Sequence, residues 1–269
     1  MCKVLKVSHS GYYAWKKRSP SRRELTNRVL IKQIQAIFIH SRETYGALRI
    51  QAALCHEGVI CGHNRVARLM RKQGMVAISR RKYHPVTTQR KAGAFTAPNL
   101  LAQDFSAEKP NQKWVGDITY IDTTEGWLYL AIVLDLFSRK VVGWAMDTHI
   151  DTKLVISALQ MAWKTRQPMA GLLHHSDQGS QYTSLEYQRL LTSMQAQPSM
   201  NHLGNYYDNA AMESFFSTLK TECVNHQFTT REEARHAIFE YIEAWYNRER
   251  LHSTLNYLSP LEYEALYGN

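Results

Sequence analysis

Three acidic residues stand where a phosphodiester-cutting metal site would need them. Asp117 lies in Trp114-Val-Gly-Asp-Ile-Thr-Tyr120, Asp177 in His174-His-Ser-Asp-Gln-Gly-Ser-Gln-Tyr182, and Glu213 in Asn209-Ala-Ala-Met-Glu-Ser-Phe-Phe-Ser-Thr-Leu-Lys220, with 35 residues between the last two acids. Phosphodiesters repel anionic nucleophiles, and their transition state gathers charge on oxygen. Two divalent ions roughly 3.5–4 Å apart answer both problems: they activate the attacking water or 3′-hydroxyl and stabilise the leaving oxygen. Carboxylate oxygens suit Mg²⁺ or Mn²⁺. In this reading two ions occupy each active site, with Asp117 bridging them and Asp177 and Glu213 each holding one. Without metal the three carboxylates raise one another's pKa, which disposes the site to take up cations. The bland reading is three unrelated acids, two in turns and one on a solvated helix.

Helical geometry sharpens the third position. At 100° per residue, Met212, Phe215, Phe216, Leu219 and Cys223 gather on one side, while Glu213, Ser217 and Lys220 share a neighbouring polar side. Other chemistry-bearing groups read more plainly. Asp122 and Asp135 lie near strand ends, and Asp135 reads mainly as a turn residue before Ser138-Arg139. His174 and His175 read as buried residues beside the site rather than as ligands, because oxygen dominates Mg²⁺ sites. Trp114, Tyr206 and Tyr207 could stack on bases, but aromatics more often pack.

The elements that must carry these residues follow from periodicity. Trp114 to Asp122 alternates as a strand, Leu128 to Leu134 is apolar enough for a central strand, and Val141 to Met146 completes an antiparallel trio. Asp151 or Thr152 caps a helix to about Thr165. A short strand, Leu172 to His175, leads to Asp177, and a Thr183/Glu186 capping box opens a helix to about Met194. Gln197 to Met200 reads as a fifth strand. Gly204 to Asp208 is a loop, and Asn209 caps a helix through about Val224. Thr230 and Glu233 cap a long helix with Ala234, Ile238, Tyr241, Ile242 and Trp245 on one face, and Leu261 to Leu266 is a short helix. This element order is that of the ribonuclease H-like fold, an α/β core with a mixed five-stranded sheet and flanking helices, here over 113–225 with a C-terminal helical extension over 226–269.

The N-terminal part is different. Residues 1–100 hold 20 Lys+Arg against 3 Asp+Glu, whereas residues 101–269 hold 13 against 20. Neutralising phosphates with Lys and Arg releases condensed counterions, so the first part reads as a polyanion-binding module, against the alternative of a merely soluble basic domain. After a basic segment, 1–20, a Ser21/Glu24 capping box starts a helix to about His40, with Val29, Leu30, Ile34 and Ile37 to Ile39 near helical spacing. A helix from Tyr45 to His56 follows, with Leu48, Ala52 and Leu54 inward. Beyond Gly58 and Gly62 comes a helix from Asn64 to Gln73, with Val66, Leu69 and Met70 buried. Arg65, Arg68, Arg71 and Lys72 take its other faces. This is a small all-α, helix-turn-helix-like domain over 21–78, whose basic helix would enter the major groove; a solvated basic face is the alternative. Residues 79–112 read as a basic linker able to lie along DNA.

The four cysteines fit no usual zinc spacing, and Cys55, His56, Cys61 and His63 are read as reduced thiols and ordinary histidines. Met1 to Tyr13 lacks the apolar segment of a signal peptide, and the apolar run Leu128 to Leu134 is too short to span a bilayer. The expectation is a soluble, cytoplasmic protein with no membrane partner.

The three motifs around Asp117, Asp177 and Glu213 resemble the Asp-Asp-Glu-(Lys) signature of bacterial insertion-sequence transposases, in particular their second-reading-frame (OrfB) protein, within the superfamily of retroviral integrases. Leu134-Asp-Leu-Phe-Ser-Arg-Lys-Val-Val-Gly-Trp144 is similar to that family's second and third strands, and Tyr246-Asn-Arg-Glu-Arg-Leu-His252 to its usual ending. The resemblance covers roughly residues 20–265. It implies Mg²⁺ dependence, nicking at element ends, and joining of a 3′-hydroxyl to a new phosphodiester. It implies Asp117, Asp177 and Glu213 as catalytic metal ligands and Lys220 as a DNA contact. The expected partners are double-stranded DNA, at element ends and target, further copies of the chain on that DNA, and an upstream-frame protein or fusion. The zinc-binding His/Cys module that opens retroviral integrases has no counterpart in the spacing here. Two alternatives remain at this stage: a ribonuclease H-like nuclease without strand transfer, and a non-catalytic DNA-binding regulator.

Overall fold

The computed structural model describes residues 2–78, 96–201 and 206–268. The basic run Ser79 to Lys82, together with Pro85, Arg90, Lys91 and Gly93, lies outside the described residues, as does the first part of the loop read over 204–208. The chain divides into two compact units, residues 1–77 and 78–269.

The first unit is all helical: α1 His9–Lys17, α2 Arg22–His40, α3 Ala47–His56 and α4 His63–Lys72. Helix α1 was not anticipated within the basic segment; Ser8 caps it, its hydroxyl accepting from Gly11 N at 3.0 Å. Ser21 caps α2 in the same manner, accepting from Glu24 N. Helix α2 buries Leu30, Ile34, Ile37 and Phe38, while Val29 and Ile39 face outward. In α3 the fully buried residues are Ile50 and Leu54, and Leu48, expected inward, is exposed. Two residues of helix are a 200° rotation, so Leu48 and Ile50 cannot share the core face. Gly58, at φ +78°, takes the left-handed turn after α3. Helix α4 buries Val66, Leu69 and Met70 as its periodicity requires.

The second unit is built on a five-stranded sheet. Its elements are β1 Lys113–Ile121, β2 Leu128–Asp135, β3 Val141–Asp147, α5 Thr152–Arg166, β4 Leu173–Ser176, α6 Leu185–Ser193, β5 Gln197–Met200, α7 Ala210–Glu222, α8 Arg231–Glu240 and α9 Pro260–Tyr267. The sheet order is β3-β2-β1-β4-β5. β1–β2 and β2–β3 pair antiparallel, and β1–β4 and β4–β5 pair parallel. This is the mixed, ribonuclease H-like sheet that the element order implies. Trp114, Ala131, Val133, Leu159 and Tyr187 belong to its main core cluster with α5 and α6. Close approach of α5 depends on Gly143 in β3, where a Cβ would stand 2.2 Å from Ala158 O.

Two local readings are corrected. Helix α6 is capped by Ser184, whose hydroxyl accepts from Tyr187 N, while Thr183 donates instead to Gly179 O. Asp135 is more than a turn residue. It is fully buried at the end of β2 and accepts from Asn111 N and Phe137 N, with Arg166 at 3.5 Å.

After α8 the chain continues as a π-helical turn, Tyr241–Tyr246. Ala234, Ile238, Tyr241, Ile242 and Trp245 are all buried. Helix α9 begins with a Ser259/Glu262 capping box. Its Glu264 then binds Arg166, Lys140 and Ser138, fastening the C-terminal segment to α5 and the β2–β3 turn.

Candidate active site

The parallel register of β1 and β4 sets the geometry of the site. Gly116 pairs with Ser176 at the end of β4, so Asp177, the next residue, leaves the sheet beside Asp117 of β1, close enough for the two carboxyls to act on each other. Both Asp117 oxygens are held. Ile118 N donates to Oδ1 at 2.7 Å, and Asn209 Nδ2 donates to Oδ2 at 2.7 Å. Asp177 bends over its own loop, its Oδ1 accepting from Gly179 N at 2.9 Å. A Cβ on residue 179 would stand 2.9 Å from the same oxygen, so any larger residue there would move the Asp177 carboxylate.

The electrostatics follow from this crowding. Burial, then the neighbouring Asp177, and more weakly Glu213 push the Asp117 carboxyl up to about 8, against the two hydrogen bonds that favour its charged form. Glu213 is exposed on α7, in the turn that begins at Asn209. Among the described residues no three His, Cys, Asp or Glu side chains already stand close enough to hold one ion. The oxygen-only donor set, and an acid driven towards its neutral form by two others, are nevertheless the chemistry that suits a hard cation.

Lys220, two turns beyond Glu213, lies with Nζ 4.6 Å from the centroid of the Tyr120 ring. Partial burial lowers its pKa, and Asp117 opposes that shift. Tyr120 in turn meets exposed Trp127 edge-on at 4.9 Å.

Both histidines are buried and held by neighbours other than the three acids. His174 is buried with its ring against Gly116, where a Cβ would sit 3.2 Å away. Its Nε2 lies 3.2 Å from the Tyr187 hydroxyl. Burial, with His175 adding repulsion, brings its pKa down to about 4. His175 bridges Ser199 and Asn201, and burial lowers its pKa as well. Ser199 Oγ in turn accepts from Leu100 N and Leu101 N. Trp114 is fully buried and packs edge-on against Trp163, so it is a core residue. The Tyr206 and Tyr207 side chains lie outside the described residues.

The whole chain matches known proteins. It is 46% identical to the transposase of insertion sequence IS904 from Lactococcus lactis, over 92% of this chain and 98% of that one. It is 44% identical to transposase InsF of IS3 from Escherichia coli, over 98% and 92%. The chain belongs to the IS3-type insertion-sequence transposases. Within this transposase, residues 107–205 and 213–266 match integrase core domain families, and residues 24–83 match an HTH-like domain. A structural alignment with the catalytic core of HTLV-2 integrase, solved with magnesium, covers 58% of this chain and 97% of that one at 20% identity and a TM-score of 0.41. The transposase relatives and the integrase core family match, and not that structural likeness, make the enzyme class polynucleotidyl transferase, acting in DNA cleavage and joining.

The basic residues of α4 divide. Arg65 is turned back onto α2, with Nε 2.9 Å from Asn27 Oδ1 and Nη2 3.1 Å from Thr26 Oγ1. Arg68, Arg71 and Lys72 are exposed. Arg68 and Lys72 line a cleft shared with Arg23 and Arg28 of α2.

Sequence reasoning missed Asn209 as a partner of Asp117, having assigned it only to capping. It also missed Asp208, fully buried and held by Asn99 Nδ2 at 2.7 Å, and the Glu222–Arg250 pair, for which periodicity offers no cue.

Proposed function

We propose that this transposase cuts and joins DNA at a site where Asp117, Asp177 and Glu213 are the ligands of divalent ions, Mg²⁺ or Mn²⁺, two per active site. The observation that supports it is the Asp117 carboxyl, pressed between Asp177 and burial and driven up to about 8. A site so poised gains most from a cation. Bound there, the ions would lower the pKa of the attacking hydroxyl and offset charge on the leaving oxygen.

The chain's own residues prepare that arrangement. Ile118 N and Asn209 orient Asp117. Gly179 N orients Asp177. Glu213 stands exposed on α7, free of the core that Phe215 and Phe216 anchor, and so is able to swing towards the two aspartates. Lys220 offers a cation on the same helix for a phosphate of the element end. Arg68, Arg71 and Lys72 of the HTH-like domain grip the DNA backbone outside the site. Both ends of an element and a target must be handled together, so the working form is a homo-oligomer on double-stranded DNA, with an upstream-frame protein or fusion as a further partner. The work takes place in the cytoplasm, on the nucleoid.

The test is a strand-transfer assay with Mg²⁺ and a duplex carrying the terminal repeats of the element. Wild type cuts and joins. Asp177→Ala does neither, and binds the same duplex within about twofold of wild type. An Asp177→Ala protein that still joins strands would overturn the assignment. Cutting without joining would leave a plain nuclease, and binding alone a regulator.

A further inference from the structure

We propose that Asn209 is a positioning residue for Asp117, holding its carboxylate in the attitude in which it receives a divalent cation. The inference rests on the carboxylate reading above and deepens it.

Asparagine is a favoured N-cap because its short side chain turns back to accept a backbone N–H of the first helical turn. Asn209 occupies the N-cap position of α7 and makes no such bond. Its Nδ2 donates instead to Asp117 Oδ2, 92 residues away in sequence, at 2.7 Å. Its Oδ1, the atom that would have capped the helix, is buried with no hydrogen-bond partner among the described residues. The side chain has given up the local bond for the distant one.

That distant bond completes a set. Ile118 N donates to Oδ1 of Asp117 and Asn209 to Oδ2, so each carboxylate oxygen has a donor that favours this orientation. Each carboxylate oxygen accepts at two lone pairs, so Oδ2 keeps a free direction for a cation while the amide stays bound. Glu213 follows Asn209 by four residues, one turn further on the same helical face. One turn of α7 therefore brings both the amide that orients Asp117 and the third carboxylate. Groups that orient metal ligands in this way typically contribute 10–100-fold in metal affinity.

The experiment measures Mn²⁺ binding to the full-length protein without DNA, by the electron paramagnetic resonance signal of free Mn²⁺, beside thermal melting. Asn209→Ser is the informative variant. Serine is as good an N-cap but too short to reach Asp117. Its melting temperature is expected at or above that of wild type, while half-saturation needs at least about tenfold more Mn²⁺. Asn209→Gln keeps an amide with longer reach and binds Mn²⁺ more tightly than Asn209→Ser. A role in capping alone predicts that serine restores everything, so Asn209→Ser binding within about twofold of wild type, or no better binding by Asn209→Gln, overturns the proposal. Asp117→Asn separates the two levels. If it loses Mn²⁺ while Asn209→Ser does not, only the role of Asn209 falls. If Asp117→Asn binds like wild type, the carboxylate reading fails and this inference with it.

Discussion

Arg250 closes a two-pronged contact on Glu222, the last residue of α7, with Nη2 2.7 Å from Oε1 and Nε 2.8 Å from Oε2. The Tyr241 hydroxyl donates to the same Oε2 at 3.0 Å. Both charged side chains are about 95% buried. The C-terminal extension thus grips the far end of the helix that carries Asn209, Glu213 and Lys220. Removing one member of a buried pair strands the other charge, at a cost of about 3–5 kcal/mol. Arg250→Ala should lose that much in urea unfolding. The double variant Glu222→Leu/Arg250→Met should recover much of it, because two apolar groups leave no charge behind. A loss below about 1 kcal/mol in Arg250→Ala would mean the pair does not brace α7.

The raised Asp117 carboxyl makes metal-free stability depend on pH in a defined direction. The unfolded carboxyl titrates near 3.8 and the folded one at about 8. Between these values the unfolded chain has released a proton that the folded chain retains, so stability falls as pH rises and levels off above about 8. Asp117→Asn removes this slope. At roughly 1.4 kcal/mol per pKa unit, discounted because Asp117 is only half-buried, the variant is expected to be more stable than wild type at pH 8 by on the order of 2 kcal/mol. Saturating Mn²⁺ should flatten the wild-type profile in the same way. Chemical denaturation from pH 4 to 8, in a chelator for the metal-free slopes and in Mn²⁺ without chelator for the flattening, checks both, and equal metal-free slopes for wild type and Asp117→Asn would refute the argument.

The split among the α4 cations gives a third expectation. Each phosphate neutralised contributes about 0.9 to the slope of log K against log salt. Arg68→Ala/Lys72→Ala should lower that slope by about 2 and weaken binding to all sequences alike. Arg65→Ala should change it little, because its guanidinium is committed to Asn27 and Thr26; its effect belongs in the melting temperature of the helical unit. DNA titrations between 50 and 200 mM salt distinguish the two, and a slope that follows Arg65 instead would return that residue to the DNA-facing surface.

What could be read from the sequence was whatever short-range rules govern. The apolar run of β2, the alternation around Asp117 and the buried stripe of α4 all follow from period alone, and the five strands of the mixed sheet arise in the expected order along the chain. Leu48 went wrong because helical phase cannot be fixed until the partner helices are known. Thr183 lost the capping role to Ser184 because two adjacent hydroxyls satisfy the same rule and tertiary geometry chooses between them. Asn209, Asp208 and Arg250 were illegible in their roles for a different reason. Their partners, Asp117, Asn99 and Glu222, lie 92, 109 and 28 residues away, and no local pattern encodes such pairings. Asp117, Asp177 and Glu213 stood out because each sits in a distinctive local context, but that burial and Asp177 push the Asp117 carboxyl up was visible only in three dimensions.

Lys220 and Tyr120 offer a last test, on DNA. A cation over an aromatic face contributes about 0.5–2 kcal/mol, and here the ring fixes where the ammonium points. Lys220→Ala should raise the KM for element-end DNA, and Tyr120→Leu should raise it less, by about 2- to 30-fold on that range of energies. Because partial burial lowers the Lys220 pKa, its charge is lost at a lower pH than that of an ordinary lysine. Affinity for end DNA should therefore decline on the alkaline side earlier than for a protein with unperturbed lysines, and Lys220→Arg, whose guanidinium stays charged, should abolish that decline. Binding curves at fixed salt from pH 7 to 10.5 read the effect directly. An alkaline limb that persists unchanged in Lys220→Arg would place the titrating contact elsewhere and leave Lys220 as a packing residue on Tyr120.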